Sequence, residues 1–116
     1  MSTTFTIKRG DTVPSMVATL SSTVSGVSSA VDLTTASVVT AFFGDSAGVI
    51  LDRTCTVVTA ASGIVSYTFL STDWDSGGLV AGTYSLEFQI TFNSGAILSV
   101  PTSGYCKLVV KPDLDD

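Results

Sequence analysis

The sequence predicts an all-β chain folded as a two-sheet sandwich. Three observations carry that reading. Of 116 residues, 17 are Ser, 17 are Thr and 15 are Val; Thr and Val favour strands and Ser favours turns. Short apolar/hydroxyl alternations recur along the chain, broken by Gly, Asp and Ser, which is the pattern of half-buried strands between turns. No window carries the 3.6-residue apolar period of an amphipathic helix. Hydrophobic residues make up 45% and the mean hydropathy is +0.51, enough to build a core rather than a disordered chain. The length fits one domain, residues 1–116, with 112–116 as a short acidic tail.

The elements follow in order. Residues 5–8 read as a short first strand, preceded by the hydroxyl-rich Ser2, Thr3 and Thr4. Residues 15–21 place Met16, Ala18 and Leu20 on one face, and the Ser/Gly-rich stretch 22–29 reads as a loop. Residues 37–43 carry Val39, Ala41 and Phe43 on one side and Val38 and Phe42 on the other; 44–48 is the hairpin loop that follows. Residues 49–58 and 63–69 are the next strands, with Val65, Tyr67 and Phe69 alternating in the second. Ser71-Thr72-Asp73-Trp74 reads as one short turn capped by Ser71.

The clearest strand is 84–92, where Tyr84, Leu86, Phe88, Ile90 and Phe92 alternate with Ser85, Glu87, Gln89 and Thr91. That is an antiparallel strand with one wet face. Asn93-Ser94-Gly95 turns the chain, 96–100 returns it, and Pro101 interrupts pairing. In the last strand, 104–111, Tyr105 and Val109 oppose Cys106, Leu108 and Val110, which suggests cover on both faces. About eight short strands with turns every ~8–12 residues fit a sandwich better than a barrel or propeller.

Composition excludes several chemistries. There is no His, hence no Ser-His-Asp or Cys-His machinery of the usual kind and no His-ligated zinc. Ten acids against five bases give a net charge of −5. Three of those acids, Asp113, Asp115 and Asp116, lie in the tail, and the rest of the chain is nearly neutral. Lys8, Arg9, Arg53, Lys107 and Lys111 are too few and scattered to neutralise nucleic-acid phosphates or bind an anionic membrane. The N-terminus has no basic and apolar signal pattern, and no apolar run approaches the ~20 residues that span a bilayer. Synthesis in a reducing cytoplasm is the expectation. Cys55 and Cys106 belong to no CxxC motif and read as two buried, reduced thiols, with a disulfide between facing strands as the alternative.

Asp73-Trp74-Asp75-Ser76-Gly77-Gly78 has the outline of a calcium loop but lacks the third oxygen ligand and the later Glu, so it reads as an Asp-rich turn. Asp52 and Glu87 sit mid-strand on the polar face and read as solvated rather than as a carboxylate pair. No Ser or Thr has a candidate base; Lys8 and Lys111 stand at no Ser-Lys spacing. Trp74, the one Trp, reads as a plug for the end of the sandwich, with a sugar platform or interface anchor as the other reading.

Five segments, in order, resemble the N-terminal domain of phage baseplate upper proteins. Arg9-Gly10-Asp11-Thr12-Val13-Pro14 is similar to that family's opening, and Val31-Asp32-Leu33-Thr34 to the segment before its next strand. Gly63-Ile64-Val65-Ser66-Tyr67 and Ala81-Gly82-Thr83-Tyr84-Ser85-Leu86-Glu87-Phe88 resemble two of its strands, and Pro101-Thr102-Ser103-Gly104-Tyr105 its close. The resemblance implies an immunoglobulin-like antiparallel β-sandwich of about seven to nine strands with Greek-key connections. It also implies a building block of phage particles. Gly82-Thr83-Tyr84 resembles a tyrosine corner, and Asp32 is placed to cap backbone where the chain crosses between sheets.

That family carries a further region after this domain, whereas this chain stops at residue 116, so it reads as a free-standing relative. The expectation is a non-enzymatic virion protein with no cofactor and no metal. It binds other phage structural proteins, as capsid decoration slightly ahead of tail or baseplate attachment, and a homo-oligomer is possible. The rival class is a carbohydrate- or host-surface-binding module centred on Trp74. Candidate interface residues are Ser2, Thr3, Thr4 and Phe5 on the first strand, and Lys107, Val109, Lys111 and Leu114 on the last strand and tail. Trp74 and Leu79 at the loop end are the alternative anchor. Both strand groups are expected to form uncovered sheet edges.

Overall fold

In a computed structural model that describes residues 4–75, 78–101 and 106–112, the chain is almost entirely β. Among the described residues eleven strands run in order: β1 Thr4–Lys8, β2 Met16–Thr19, β3 Ser21–Val24, β4 Val27–Ala30, β5 Ala36–Asp45, β6 Gly48–Thr54, β7 Thr56–Thr59, β8 Ile64–Tyr67, β9 Gly82–Phe92, β10 Ile97–Val100 and β11 Cys106–Lys111. One sheet has the order β1-β11-β9-β5-β6, with β10 also on β9; the second is β2-β8-β7; β3 and β4 pair as a hairpin. Strands β5, β9 and β11 face strands β2, β8 and β7 across the core. That is the immunoglobulin-like Greek-key sandwich.

The core sits where the alternation puts it. Val39, Ala41 and Phe43 of β5 and Tyr84, Leu86, Phe88 and Ile90 of β9 are buried against Met16, Ala18, Val65 and Tyr67 of the facing sheet. At the last strand Cys106, Leu108 and Val110 point inward, and Val109 is half-buried on the other face. The Tyr84 hydroxyl donates to the Val80 carbonyl and accepts from the Val80 N–H, both at 2.9 Å, forming the expected tyrosine corner. Asp32 Oδ1 accepts the Thr34 N–H at 3.0 Å, as a local cap between sheets. That hydrogen bond holds the Asp32 carboxyl below its ordinary value.

Several expectations need correcting. Residues 22–29 are not a loop but most of a β-hairpin, whose Ser25-Gly26 turn has both φ angles positive, at 52° and 79°. The two arms carry β-branched Thr23, Val24 and Val27 beside the serines, and the turn is the two-residue kind that matches strand twist. Residues 49–58 are two strands in different sheets. Thr54 pairs with Thr40, Thr56 pairs with Ser66, and buried Cys55 between them donates its N–H to the Val39 carbonyl at 2.8 Å.

The hairpin loop expected over 44–48 is narrower, since Asp45 pairs directly with Gly48. The sheet is not wholly antiparallel: β1 runs parallel to β11, with the rest of the sandwich serving as the long crossover that parallel pairing needs. The last strand is consequently no edge, being flanked by β1 and β9. Ser71 is not the cap of the turn 71–74, because Leu70 occupies that position. Tyr105 lies outside the described residues, as does most of the acidic tail.

Both cysteines are free and buried. Burial pushes the Cys55 thiol up from its ordinary 9.0 to about 11, against a smaller opposing backbone hydrogen bond from Ala41. Because the folded value is raised, the stabilisation is full below pH ~9 and is lost as pH climbs toward 11. Relative to Cys55→Ala, the wild-type chain is expected to lose about 2 kcal/mol between pH 8 and 11, read as urea midpoints across that range. Parallel curves for the two proteins would sink the assignment. In the core, Phe88→Ala is expected to cost ~3–5 kcal/mol, against ~0.5 kcal/mol or less for its half-buried neighbour in Glu87→Ala. Equal losses in chemical denaturation would show the inward face to be misassigned.

Candidate interaction surface

At one end of the sandwich, residues from both sheets converge on a single carboxylate. Asp73 is fully buried. Its Oδ2 accepts the Tyr67 hydroxyl at 2.5 Å and the Leu70 N–H at 2.9 Å, while its Oδ1 accepts Arg53 Nε–H at 2.8 Å. Burial, and then the hydrogen bond and charge of Asp73, drive the Tyr67 hydroxyl far above its ordinary pKa. Partial burial works against the Arg53 charge, but Asp73 outweighs it and the guanidinium sits above its ordinary value.

Around this group Phe69 stacks on Trp74, with ring centres 5.4 Å apart, and meets Tyr67 edge-on at 5.2 Å. Trp74 Nε1–H donates to the Asp11 carbonyl, and Arg9 donates to the Trp74 carbonyl, each at 3.1 Å. Each carboxylate oxygen thus has a protein donor, and Arg53 is held further by its Nη1–H, which donates to the Asp52 carbonyl at 2.8 Å, an arrangement that braces this end of the sandwich. Trp74 is the plug. At 6% and 0% exposure, Trp74 and Leu79 present no anchor or sugar platform on the surface.

The remaining candidates separate. Ser2, Thr3 and Leu114 lie outside the described residues. Lys111 is exposed and Val109 half-buried on β11, inside the sheet rather than at its edge. Thr4, Phe5 and Lys107 do come together. They line a slot of about 120 Å³ with Met16, Val17 and Ala18 of β2 and with Leu86, Phe88 and Cys106. The slot opens at the seam between the edge strands of the two sheets, β1 and β2. A larger groove of about 400 Å³ crosses the outer face of the big sheet, lined by Phe42, Asp45, Val49, Glu87 and their neighbours. Asp52 does not join Glu87 there. Among the described residues no three His, Cys, Asp or Glu side chains gather as a metal site.

Strand β2 adds what the sequence reading missed. Leu20 donates its N–H to the Gly63 carbonyl (2.8 Å), and its own carbonyl accepts the Val31 N–H (2.9 Å). Both groups of one strand residue point to the same side. So β8, which pairs with β2, and β4, which pairs with β3, lie on one side of a continuous extended segment. Gly63 makes the pinch: its φ is +70°, and a Cβ there would sit 2.7 Å from the Val31 oxygen and 2.8 Å from that of Leu20.

On the other side, residues 16–22 form an edge that no described strand pairs. By alternation Val17, Thr19 and Ser21 turn their backbone groups outward there. Val17 is 58% exposed. This edge has no charge, no proline and no bulge, the devices that usually guard an edge. By contrast β1 carries Lys8, β6 carries Asp52 and Arg53, and β7 is bulged between Val57 and Thr59.

The signal was present in the charge map. No charged residue occurs in 12–31 or in 54–72, and those two stretches supply all of the small sheet and the hairpin.

No family model and no curated protein sequence matches the chain. Among solved structures it is similar to that of CopC from Methylosinus trichosporium OB3b, at 12% identity and a TM-score of 0.50, over 96% of this chain and 86% of that one. The likeness is one of fold, a β-sandwich.

Removing the central carboxylate in Asp73→Ala leaves the Tyr67 hydroxyl, the Leu70 N–H and Arg53 Nε–H without their acceptor. A loss of ~3–5 kcal/mol is expected from equilibrium denaturation, and a loss under ~1 kcal/mol would show that the end of the sandwich does not depend on it.

Proposed function

We propose that this chain is a non-enzymatic structural module of phage particles, attached to other particle proteins through the open seam of its sandwich. The observation that carries the reading is the unguarded, uncharged edge 16–22 beside the slot that holds Thr4, Phe5 and Lys107. An extended segment laid against such an edge completes its backbone hydrogen bonds and can place one apolar side chain in the slot, which is strand addition. Depletion of charge is the compositional mark of the centre of an interface. The resemblance to baseplate upper proteins supplies the setting, and capsid decoration, tail and baseplate remain the places where such a module would serve.

The test is occupancy. Mass spectrometry of purified particles should find the wild-type chain, and Thr19→Lys should reduce its copy number ~tenfold or more by adding a guarding charge to the edge. Wild-type chain missing from particles, or undiminished occupancy of a folded Thr19→Lys variant, would overturn the reading.

A further inference from the structure

We infer that the groove on the outer face of the large sheet receives an arginine side chain of a partner protein, its guanidinium laid on the ring of Phe42. Strand register builds the seat. Phe42 of β5 pairs with Asp52 of β6 on one side and with Glu87 of β9 on the other. Residues paired across strands project to the same face, with Cβ atoms ~5 Å apart. Ala41, Phe43, Leu86 and Phe88 are buried, so Phe42 and its two carboxylate neighbours stand on the solvent face. Further along β5, Gly44 has no side chain and leaves the depression beside the ring. Glycine is needed there, because a Cβ would come within 2.9 Å of the Gly48 carbonyl oxygen at the bulge.

The local charge is one-sided and owes nothing to the acidic tail. Asp45 and Glu87 line the groove of about 400 Å³, and Asp52 stands outside it beyond Phe42. Oδ1 of Asp45 accepts the Ala47 N–H at 2.8 Å. Among the described residues no cation forms an ion pair with Asp45, Asp52 or Glu87. Arg53, next to Asp52 in sequence, is held by Asp73 and by the Asp52 carbonyl. Lys107 pairs with Ser85 one strand beyond and does not line the groove. A half-exposed aromatic ring between unpaired carboxylates is complementary to a cation.

Geometry chooses among cations. The backbones of Asp52 and Glu87 lie two strand spacings apart, ~10 Å, with the ring between them. They do not close on a metal ion, whose oxygen ligands must stand within ~2.6 Å of it. An ammonium is a compact charge that pairs with one carboxylate at a time. A guanidinium is planar, stacks on an aromatic face and carries its N–H donors in its own plane. Seated on Phe42 it donates to Glu87 while its charge also faces Asp45 and Asp52. Its methylene stem lies against Val49, which pairs with Gly44.

Amide chemical shifts of the isotope-labelled chain, followed as N-acetyl-arginine amide is added to ~50 mM, test the inference. The amides of Phe42, Gly44 and Glu87 are expected to move and saturate with a dissociation constant of ~1–10 mM. N-acetyl-citrulline amide keeps the shape without the charge and should bind ~tenfold more weakly; N-acetyl-lysine amide should bind ~threefold more weakly. Glu87→Gln and Phe42→Leu, both on the solvent face, should each weaken arginine binding ~threefold or more, as should raising the salt to ~0.5 M.

Stationary amides at those three positions overturn the inference. So does a citrulline or lysine probe that binds as well as arginine, or wild-type affinity in both variants. Methyl glucoside moving the same amides where arginine does not would make the groove a sugar site and overturn it equally. None of the groove residues belongs to the seam, so failure here leaves the proposed function standing.

Discussion

The carboxylate of Asp73 sets the geometry of one whole end of the molecule. It ties Tyr67 of the small sheet, Arg53 of the large sheet and the backbone at Leu70 to a single point. A buried charge is tolerated only when its partners are complete, and here each oxygen has a committed donor. With that point fixed, Phe69 and Trp74 can stack, and Trp74 can reach the Asp11 carbonyl across the chain crossing from β1 to β2. Closure of this end leaves the long side of the sandwich, between β1 and β2, as its open seam.

Most of the large sheet was legible in the sequence. The nine-residue alternation 84–92 has one polar face, and a two-residue period has a single solution in a two-sheet fold; at 37–43 the alternation of Val39, Ala41 and Phe43 marks the inward face although Val38 and Phe42 stand on the other. The tyrosine corner could be seen because glycine and tyrosine stand at the required spacing. What escaped was of two kinds. Thr and Ser are shared between strands and turns, so the hairpin 21–30 looked like a serine-rich loop; only Ser25-Gly26 between two valines hinted at it. The crossing at Cys55 escaped because a strand that changes sheets keeps its β-branched composition throughout, and nothing in 49–58 marks the break.

The site was legible only in part. Thr4, Phe5 and Lys107 were named for their place on terminal strands, and they do meet at the slot. The β2 edge opposite them was missed because edge status is a property of neighbours, not of the strand's own residues. The last strand reads as exposed in isolation, yet β1 lies alongside it. Trp74 illustrates the converse: a lone aromatic in a polar loop has the composition of an anchor, and its burial depends on Asp11 and Phe69, distant in sequence or in a different element.

The pinch at Gly63 makes the hairpin a projection whose reach can change without disturbing the core. Each residue added to both arms lengthens the outer strand by ~3.4 Å while the buried set Leu20, Val31 and Val65 stays where it is. Each two-residue step per arm preserves which backbone groups face outward. A lineage of such proteins could therefore adjust the span of its contact like a ruler marked in pairs of residues, leaving the thermodynamics of the sandwich almost untouched.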